Sequence, residues 1–401
     1  MAYIRKRGDK WSVTVYLGTD PQTGKSRQKV LSGFTNKTEA RNAARELEKD
    51  VKDKTFVNES RIGFPDFADE WLRAYELVAK ISSVRARTHQ INKLKHYFKH
   101  IALKDITKKL YQDAIVSMLR NEGLAEQTVE GIHTSARMIF KKAREWDLVK
   151  LDPTEFAIIP KKKKTVEELE NEEAPAKYME KEELKRFLYA AQEIGLPNDQ
   201  EMFSLMAYTG MRVGEICALK WKDINWEQQT VSITKTYYND RNNTLLFKLL
   251  PPKTPKSART IGVDPAVLDL LKRLHLRHKE AKLALGKHFH DLGFVFIKWR
   301  NDKRSKTKIE TDYIGYPECP KQVDNRMQRL LKAAEIPTRL GPHSLRHTHT
   351  SLLAEARVGL QEIMDRLGHT DDDTTKNVYL HVTKEMKKNA VEKFSALMRS
   401  V

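Results

Sequence analysis

Residues 341–382 read GPHSLRHTHTSLLAEARVGLQEIMDRLGHTDDDTTKNVYLHV, a stretch dense in groups that do chemistry. His343 and Arg346 stand three apart on a helical pattern, so imidazole and guanidinium share one face. Leu367-Gly368-His369 follows as a helix end with a glycine stop. Asp371, Asp372 and Asp373 are good N-caps for a short helix that carries Tyr379. Upstream, Tyr208-Thr-Gly-Met-Arg212-Val-Gly-Glu215 sets a second arginine at the start of a helix, behind a Thr-Gly break. These types suit phosphoryl transfer without a metal. Two arginines hold the non-bridging oxygens of a phosphodiester and stabilise the charge of its pentacoordinate transition state. A histidine moves a proton. A tyrosine, with a free pKa near ~10, becomes a nucleophile once guanidiniums favour its phenolate.

Several elements must bring these groups to one point. Helices are expected over 180–194 and 199–209, the second running into Arg212. Strand-like runs cover Thr230–Tyr237 and Arg259–Val263, with Asn239–Asn243 as a turn between strands. Residues 264–286 read as a charged helix and Gly293–Ile297 as a short apolar strand. Residues 300–320 read as a polar loop, and 321–335 as a helix leading to His343. The tail, 383–401, is amphipathic with Val391, Phe394, Ala396 and Leu397 on its apolar side; packing in cis or on a neighbouring protomer both fit it.

The front half is organised differently. Trp11–Tyr16 alternates apolar and polar residues, as does the run after the turn-rich Gly18–Gly24. Lys25, Arg27 and Lys29 alternate, so all three cations face one side of a small sheet, and a helix over 36–53 covers the other side. Such a basic face fits a major groove; a merely solvated hairpin is the competing reading. Residues 56–63 form a linker. From Pro65 to Val149 the pattern is helical. Phe67, Trp71 and Tyr75 repeat at four-residue spacing, and Ile91, Leu94, Phe98 and Ile101 mark the next apolar face. Lys93, Lys95 and Lys99 lie on other faces, where contact with DNA competes with plain solvation. Thr107 caps the third helix, 125–146 is the fourth, and Asp152-Pro153 closes the bundle. The charge-segregated stretch from Lys161–Lys164 to Glu173 reads as a tether.

Composition narrows the class. The chain has 401 residues, 40% hydrophobic, with 73 Lys and Arg against 54 Asp and Glu, a net charge of +19. A polyanionic partner follows, nucleic acid or an acidic membrane surface. No apolar run approaches the ~18 residues of a spanning helix, and MAYIRKRGDKW lacks the apolar core of a signal peptide. Cys217 and Cys319 are too few for a disulfide framework, and a reducing cytoplasm is the expected setting.

Arg212, His343-x-x-Arg346, Leu367-Gly368-His369 and Tyr379, in that order, resemble the motif set of the tyrosine recombinases, the phage-integrase family. Arg212 with Gly214-Glu215 is similar to that family's first box; HSLRHT at 343–348 and LGHTDDDTTKNVYLHV at 367–382 are similar to its second. The resemblance implies a multidomain α+β protein. A small three-stranded-sheet arm-binding domain spans 1–55, a four-helix core-binding domain 64–158, a linker 159–176, and a mainly α catalytic domain with a small antiparallel sheet 177–401. It implies a site-specific integrase of a temperate phage or integrative conjugative element. Tyr379 is the nucleophile that forms a 3′-phosphotyrosyl link, Arg212 and Arg346 bind the phosphate, His343 is the general base, and His369 bonds or buttresses the phosphate. Lys253 is the general acid on a β-hairpin, with Lys256 as runner-up. No cofactor or metal is implied. Partners are double-stranded DNA with core and arm-type sites, three further copies at a tetrameric synapse, a directionality factor and a host DNA-bending protein. The setting is the bacterial cytoplasm, on nucleoid DNA.

Other readings compete. His343, His347, His349, His369 and Asp371–Asp373 suggest a metal-dependent nuclease. Their spacing matches no standard zinc motif, and His343, His347 and His349 cannot share one helical face. His347 and His349 are therefore expected to be structural. A DNA-binding protein without activity needs neither the tyrosine nor the arginine pair. A Xer-like or topoisomerase IB-like strand transferase shares the chemistry, and the N-terminal unit favours an integrase over these.

Overall fold

Alternating apolar and polar residues build the first sheet. The computed structural model describes residues 2–19, 26–52, 62–161, 178–239, 243–252, 257–299, 313–336, 340–368 and 398–399. Strands β1 (Tyr3–Arg7), β2 (Lys10–Thr19) and β3 (Ser26–Phe34) pair antiparallel in that order. Helix α1 (Lys37–Lys52) lays Ala44 and Leu47 on Val13 and Val15 of β2, with Ile4, Leu31 and Phe34 around them.

The register corrects one expectation. Lys29 stands opposite Val15, and Leu31 opposite Val13. Directly opposed residues share a face, so Lys29 lies on the side that α1 covers, not the side away from it. The open face carries Tyr3, Arg5, Arg7, Lys10, Thr14, Tyr16 and Val30, so its cations among the described residues are Arg5, Arg7 and Lys10. Lys25 and the linker 56–61 lie outside the described residues, and of Arg27 only the strand position is described.

Four helices follow: α2 (Phe64–Glu76), α3 (Ile81–Tyr97), α4 (Lys108–Arg120) and α5 (Glu126–Glu145). Their apolar faces meet in a core of Phe64, Phe67, Ile91, Leu94, Phe98, Tyr111, Ile139 and Phe140, all at most 1% exposed. The Thr107 hydroxyl accepts from the Leu110 amide at 3.2 Å, the cap the sequence suggested. Lys93 pairs with Glu122 at 2.6 Å and Lys95 with Asp69. Sheet and bundle both fall in the first of two compact units, Met1–Val166 and Glu167–Val401.

The second unit is built round a buried helix. Helix α6 (Lys181–Glu193) precedes α7 (Asp199–Thr209), which buries nine residues, including Met202, Phe203, Leu205 and Met206. A helix apolar on nearly all sides sits inside a helical shell. Phe187 of α6 meets Phe203 edge-on at 5.2 Å. Truncating Phe203 to alanine would cost about 3–5 kcal/mol. The start of α7 is pinned by polar bonds. Asn198, at φ 78°, donates to the Ile297 carbonyl at 2.7 Å and accepts from the Trp299 indole at 2.6 Å. Asp199 takes Arg326 at 2.6 Å and Arg329 at 3.1 Å. With one end fixed, the other end has a defined place, and that end leads to Arg212.

The remaining elements complete the shell: α8 (Val213–Ala218), β4 (Ile224–Asn225), β5 (Thr230–Ile233), β6 (Thr236–Tyr238), β7 (Lys248–Leu250), β8 (Arg259–Gly262), α9 (Pro265–Leu285), α10 (Pro320–Ala333), α11 (Pro342–Glu355) and α12 (Leu360–Leu367). The run expected as one strand over Thr230–Tyr237 is two. β5 joins β4 and β8 in one antiparallel sheet, while β6 pairs with β7 in a separate hairpin. Phe294–Ile297 is buried, but among the described residues this run forms isolated bridges, Lys220–Phe294 and Ile297–Pro317, and no strand. Cys217 and Cys319 are both buried free thiols. Residues 300–312 and the tail residues Val391, Phe394, Ala396 and Leu397 lie outside the described residues. No described helix is long and apolar enough to cross a membrane.

Candidate active site

Two glycines in the left-handed region shape the site. Gly210, at φ 64°, ends α7 and turns the chain so that Arg212 becomes the N-cap residue of α8. A Cβ at Gly210 would stand 2.8 Å from both His349 and Leu367, so no side chain fits there. Gly368, at φ 64°, ends α12 in the same way. The two turns pack against α11, which carries His343 and Arg346.

Arg346 is 2% exposed. Its Nη1 donates to the Gly210 carbonyl at 2.7 Å and its Nη2 to the Leu367 carbonyl at 2.6 Å, tying both turns to α11. Among the described residues its Nε is buried without a hydrogen-bond partner. A buried unpaired N–H on a charged group is costly. Such an N–H can donate to an anion. Burial first, then the neighbouring Arg212 and Arg259, push the Arg346 pKa down to about 9. An anion would reverse that push.

Arg212 bonds Glu215 twice, from its backbone N–H at 3.0 Å and its Nη1 at 2.9 Å. Arg259 forks onto the same carboxylate at 2.9 and 3.2 Å. Burial alone would raise the Glu215 pKa; Arg259 and then Arg212 outweigh it and hold the carboxyl below its usual range. Two guanidiniums thus bond one carboxylate with a third, Arg346, close by, and the excess is positive. His343 lies on the exposed side of α11. Burial first, then Arg346 and Arg212, lower its pKa, so at neutral pH it is an uncharged imidazole able to accept a proton.

His349 has a different task. Its Nδ1–H donates to the Ala207 carbonyl at 2.9 Å and its Nε2 accepts from Arg366 Nε at 3.1 Å. Both nitrogens are engaged, so it has no lone pair left for a metal, and the structural reading of this residue stands. Burial, then Arg366, lower its pKa to about 4. His278, packed edge-on against Trp221 and Trp299 at 5.2 Å, is likewise lowered to about 4 by burial. These folded values lie below the ordinary 6.5, so the unfolded state binds more protons between the two. Stability is full above 6.5 and is lost as pH falls toward 4, by roughly 3 kcal/mol for each histidine. Urea unfolding across that window is expected to show a midpoint that drops steadily. A midpoint flat down to pH 4 would mean that both rings are charged in the fold.

The structure therefore brings Arg212, His343 and Arg346 together. Lys253, Lys256, His369, Asp371–Asp373 and Tyr379 lie outside the described residues. Ser257, which follows the first group, bonds the Gly368 carbonyl, which precedes the second, at 3.5 Å. Lys93 and Lys95 belong to the other unit and are paired with carboxylates. Sequence reasoning missed Arg259 and Arg366. Arg366 donates to the Tyr208 and Gly262 carbonyls at 3.0 and 3.1 Å as well as to His349. No local pattern marks either arginine. Among the described residues no three His, Cys, Asp or Glu side chains converge as a metal site.

Residues 177–386, which contain this cluster, match the model of the phage integrase family. The chain belongs to the phage integrase family. It is a tyrosine recombinase, a site-specific DNA strand transferase. In this integrase-family chain, residues 3–51 also match an arm DNA-binding domain and residues 63–119 the N-terminal SAM-like domain of phage integrases. The integrase of Staphylococcus phage L54a is 27% identical over 377 residues, 88% of this chain and 99% of that protein. The ICEBs1 integrase of Bacillus subtilis (strain 168) is 26% identical over 407 residues, 99% of this chain and all of that protein (100%). The fold is also that of the Tn1549 transposon integrase, solved in complex with a circular intermediate DNA. That likeness has a TM-score of 0.63 and 17% identity, over 83% of this chain and 99% of that one.

Proposed function

We propose that Arg212, Lys253, His343, Arg346, His369 and Tyr379 carry out the strand transfer, and that the reaction integrates and excises a mobile element. The observation that carries this reading is the buried Arg346 with its unpartnered Nε, beside Arg212, in a cluster with more guanidiniums than carboxylates. The Tyr379 oxygen attacks the scissile phosphorus and gives its proton to neutral His343. The bond to the 5′-oxygen breaks, and Lys253, or Lys256 in its place, protonates that oxygen. A 3′-phosphotyrosyl link and a 5′-hydroxyl result. A 5′-hydroxyl from the partner duplex then attacks the link, and the phenol leaves as proton transfer runs in reverse. One phosphodiester is exchanged for another, so the free energy of the bond is kept. Arg212 and Arg346 stabilise the five-coordinate phosphorus throughout, and His369 bonds the same phosphate.

The test uses a nicked duplex carrying the sequence that the full chain selects from a random pool. After cleavage beside the nick, the short fragment diffuses away and the covalent adduct accumulates. The adduct is expected to form in excess EDTA. Complete loss that only a divalent cation restores would favour the metal-nuclease reading.

The N-terminal sheet is proposed to read a second, arm-type site through the open-face cations Arg5, Arg7 and Lys10, together with Lys25 and Arg27. Lys93 and Lys95 are proposed to touch the core site by exchanging their carboxylates for phosphates. A chain starting near residue 60 is expected to protect the core site and leave the arm site bare, and full-length binding there to weaken steeply with salt. Identical footprints with and without the sheet would remove this role. Two cuts in each of two duplexes require four copies. A directionality factor, a host DNA-bending protein and a place on the bacterial nucleoid complete the proposal.

A further inference from the structure

We propose that Arg259 is a positioning residue for DNA cleavage: it occupies Glu215 so that Arg212 keeps donors free for the phosphate. The proposal rests on the role given to Arg212 above. Arg259 is the first residue of β8, and its side chain is 6% exposed. Its donors are aimed at the protein. Nη2 and Nη1 fork onto Glu215 at 2.9 and 3.2 Å, Nε reaches the Arg366 carbonyl at 2.8 Å, and Nη1 reaches the Ser257 carbonyl at 3.1 Å. A guanidinium so enclosed does not bind DNA itself.

Its effect passes through the shared carboxylate. Glu215 accepts two bonds from Arg259 and two from Arg212, but only one of the latter comes from the Arg212 side chain. That side chain is 33% exposed, and among the described residues its Nε and Nη2 make no further hydrogen bond. Were the Arg259 fork removed, Glu215 Oε2 would be open to Arg212. A guanidinium beside a bare carboxylate closes on it bidentately. Arg212 would then turn its donors inward, away from a phosphate. Arg259 blocks that collapse. Its bonds to the Ser257 and Arg366 carbonyls fix it against the lead-in to β8 and the last turn of α12, so the block does not drift.

A lysine at 259 keeps the charge but cannot fork. Single-turnover cleavage of the nicked duplex is measured for the wild-type chain, Arg259→Lys, Arg212→Lys and the double variant. Arg259→Lys is expected to cleave about 30-fold more slowly. Its DNA affinity should stay within about threefold, and its melting temperature should move by only a few degrees, roughly. The double variant should be no slower than Arg212→Lys alone, because the two residues act through one link. Wild-type cleavage by Arg259→Lys, or defects that multiply in the double variant, would overturn the proposal. If Arg259→Lys fails to fold, Arg259→Gln removes the same fork from Glu215 and must show the same lack of additivity with Arg212→Lys; multiplying defects there overturn the proposal equally. Should the wild-type chain form no adduct at all, the functional reading fails, and that outcome is distinct from an adduct that Arg259→Lys leaves untouched.

Discussion

Replacing Arg346 by lysine is expected to slow DNA cleavage by about 10³-fold or more. The side chain has two duties that only a guanidinium can combine. Nη1 and Nη2 hold the carbonyls of Gly210 and Leu367, and Nε is left over for an anion. An ammonium reaches one of these sites at a time. If it turns to a carbonyl, the phosphate loses its donor. If it turns to the phosphate, two buried carbonyls go unmet at about 1–3 kcal/mol each. The same variant should therefore melt earlier, because this group ties the turns at Gly210 and Gly368 directly to α11. Single-turnover cleavage, read beside a melting curve, separates the two effects. A folded Arg346→Lys protein that cleaves at the wild-type rate would remove Arg346 from the phosphate site.

Replacing Tyr379 by phenylalanine should abolish the covalent adduct altogether while leaving DNA affinity within about twofold. The ring stays, so packing and contact area are kept, and only the oxygen that attacks phosphorus is lost. No water can substitute, because hydrolysis would leave no protein–DNA link. The effect is thus a loss of product, where Arg346→Lys gives a slower approach to it. An adduct that persists in Tyr379→Phe would mean that another nucleophile does the work.

The sequence made the local parts of this site legible and hid the tertiary ones. His343 and Arg346 were readable as a pair because three-residue spacing on a helix is a fixed geometry, and α11 supplies it. The stops at Gly210 and Gly368 were readable because each glycine ends an apolar periodic run, and both adopt φ 64°. Arg259 and Arg366 were not readable. Each acts on groups far along the chain: Glu215 lies 44 positions from Arg259, and Tyr208 lies 158 from Arg366. Nothing near them marks the partner. Strand alternation assigned Lys29 to one side of β3. It could not tell which side α1 would cover, since that depends on Val13 and Val15 of the neighbouring strand. The break between β5 and β6 was hidden for a similar reason. Both halves have strand composition, and only pairing with β8 in one sheet and β7 in another divides them.

The most direct measurement is to digest the covalent protein–DNA adduct and identify the residue bonded to the 3′-phosphate by mass spectrometry. The account expects a single peptide, linked through the Tyr379 oxygen, formed equally with and without EDTA and absent from Arg346→Lys at short times. A link at Tyr208, at any other residue, or a cut that needs a divalent cation and leaves no protein on the DNA would contradict it.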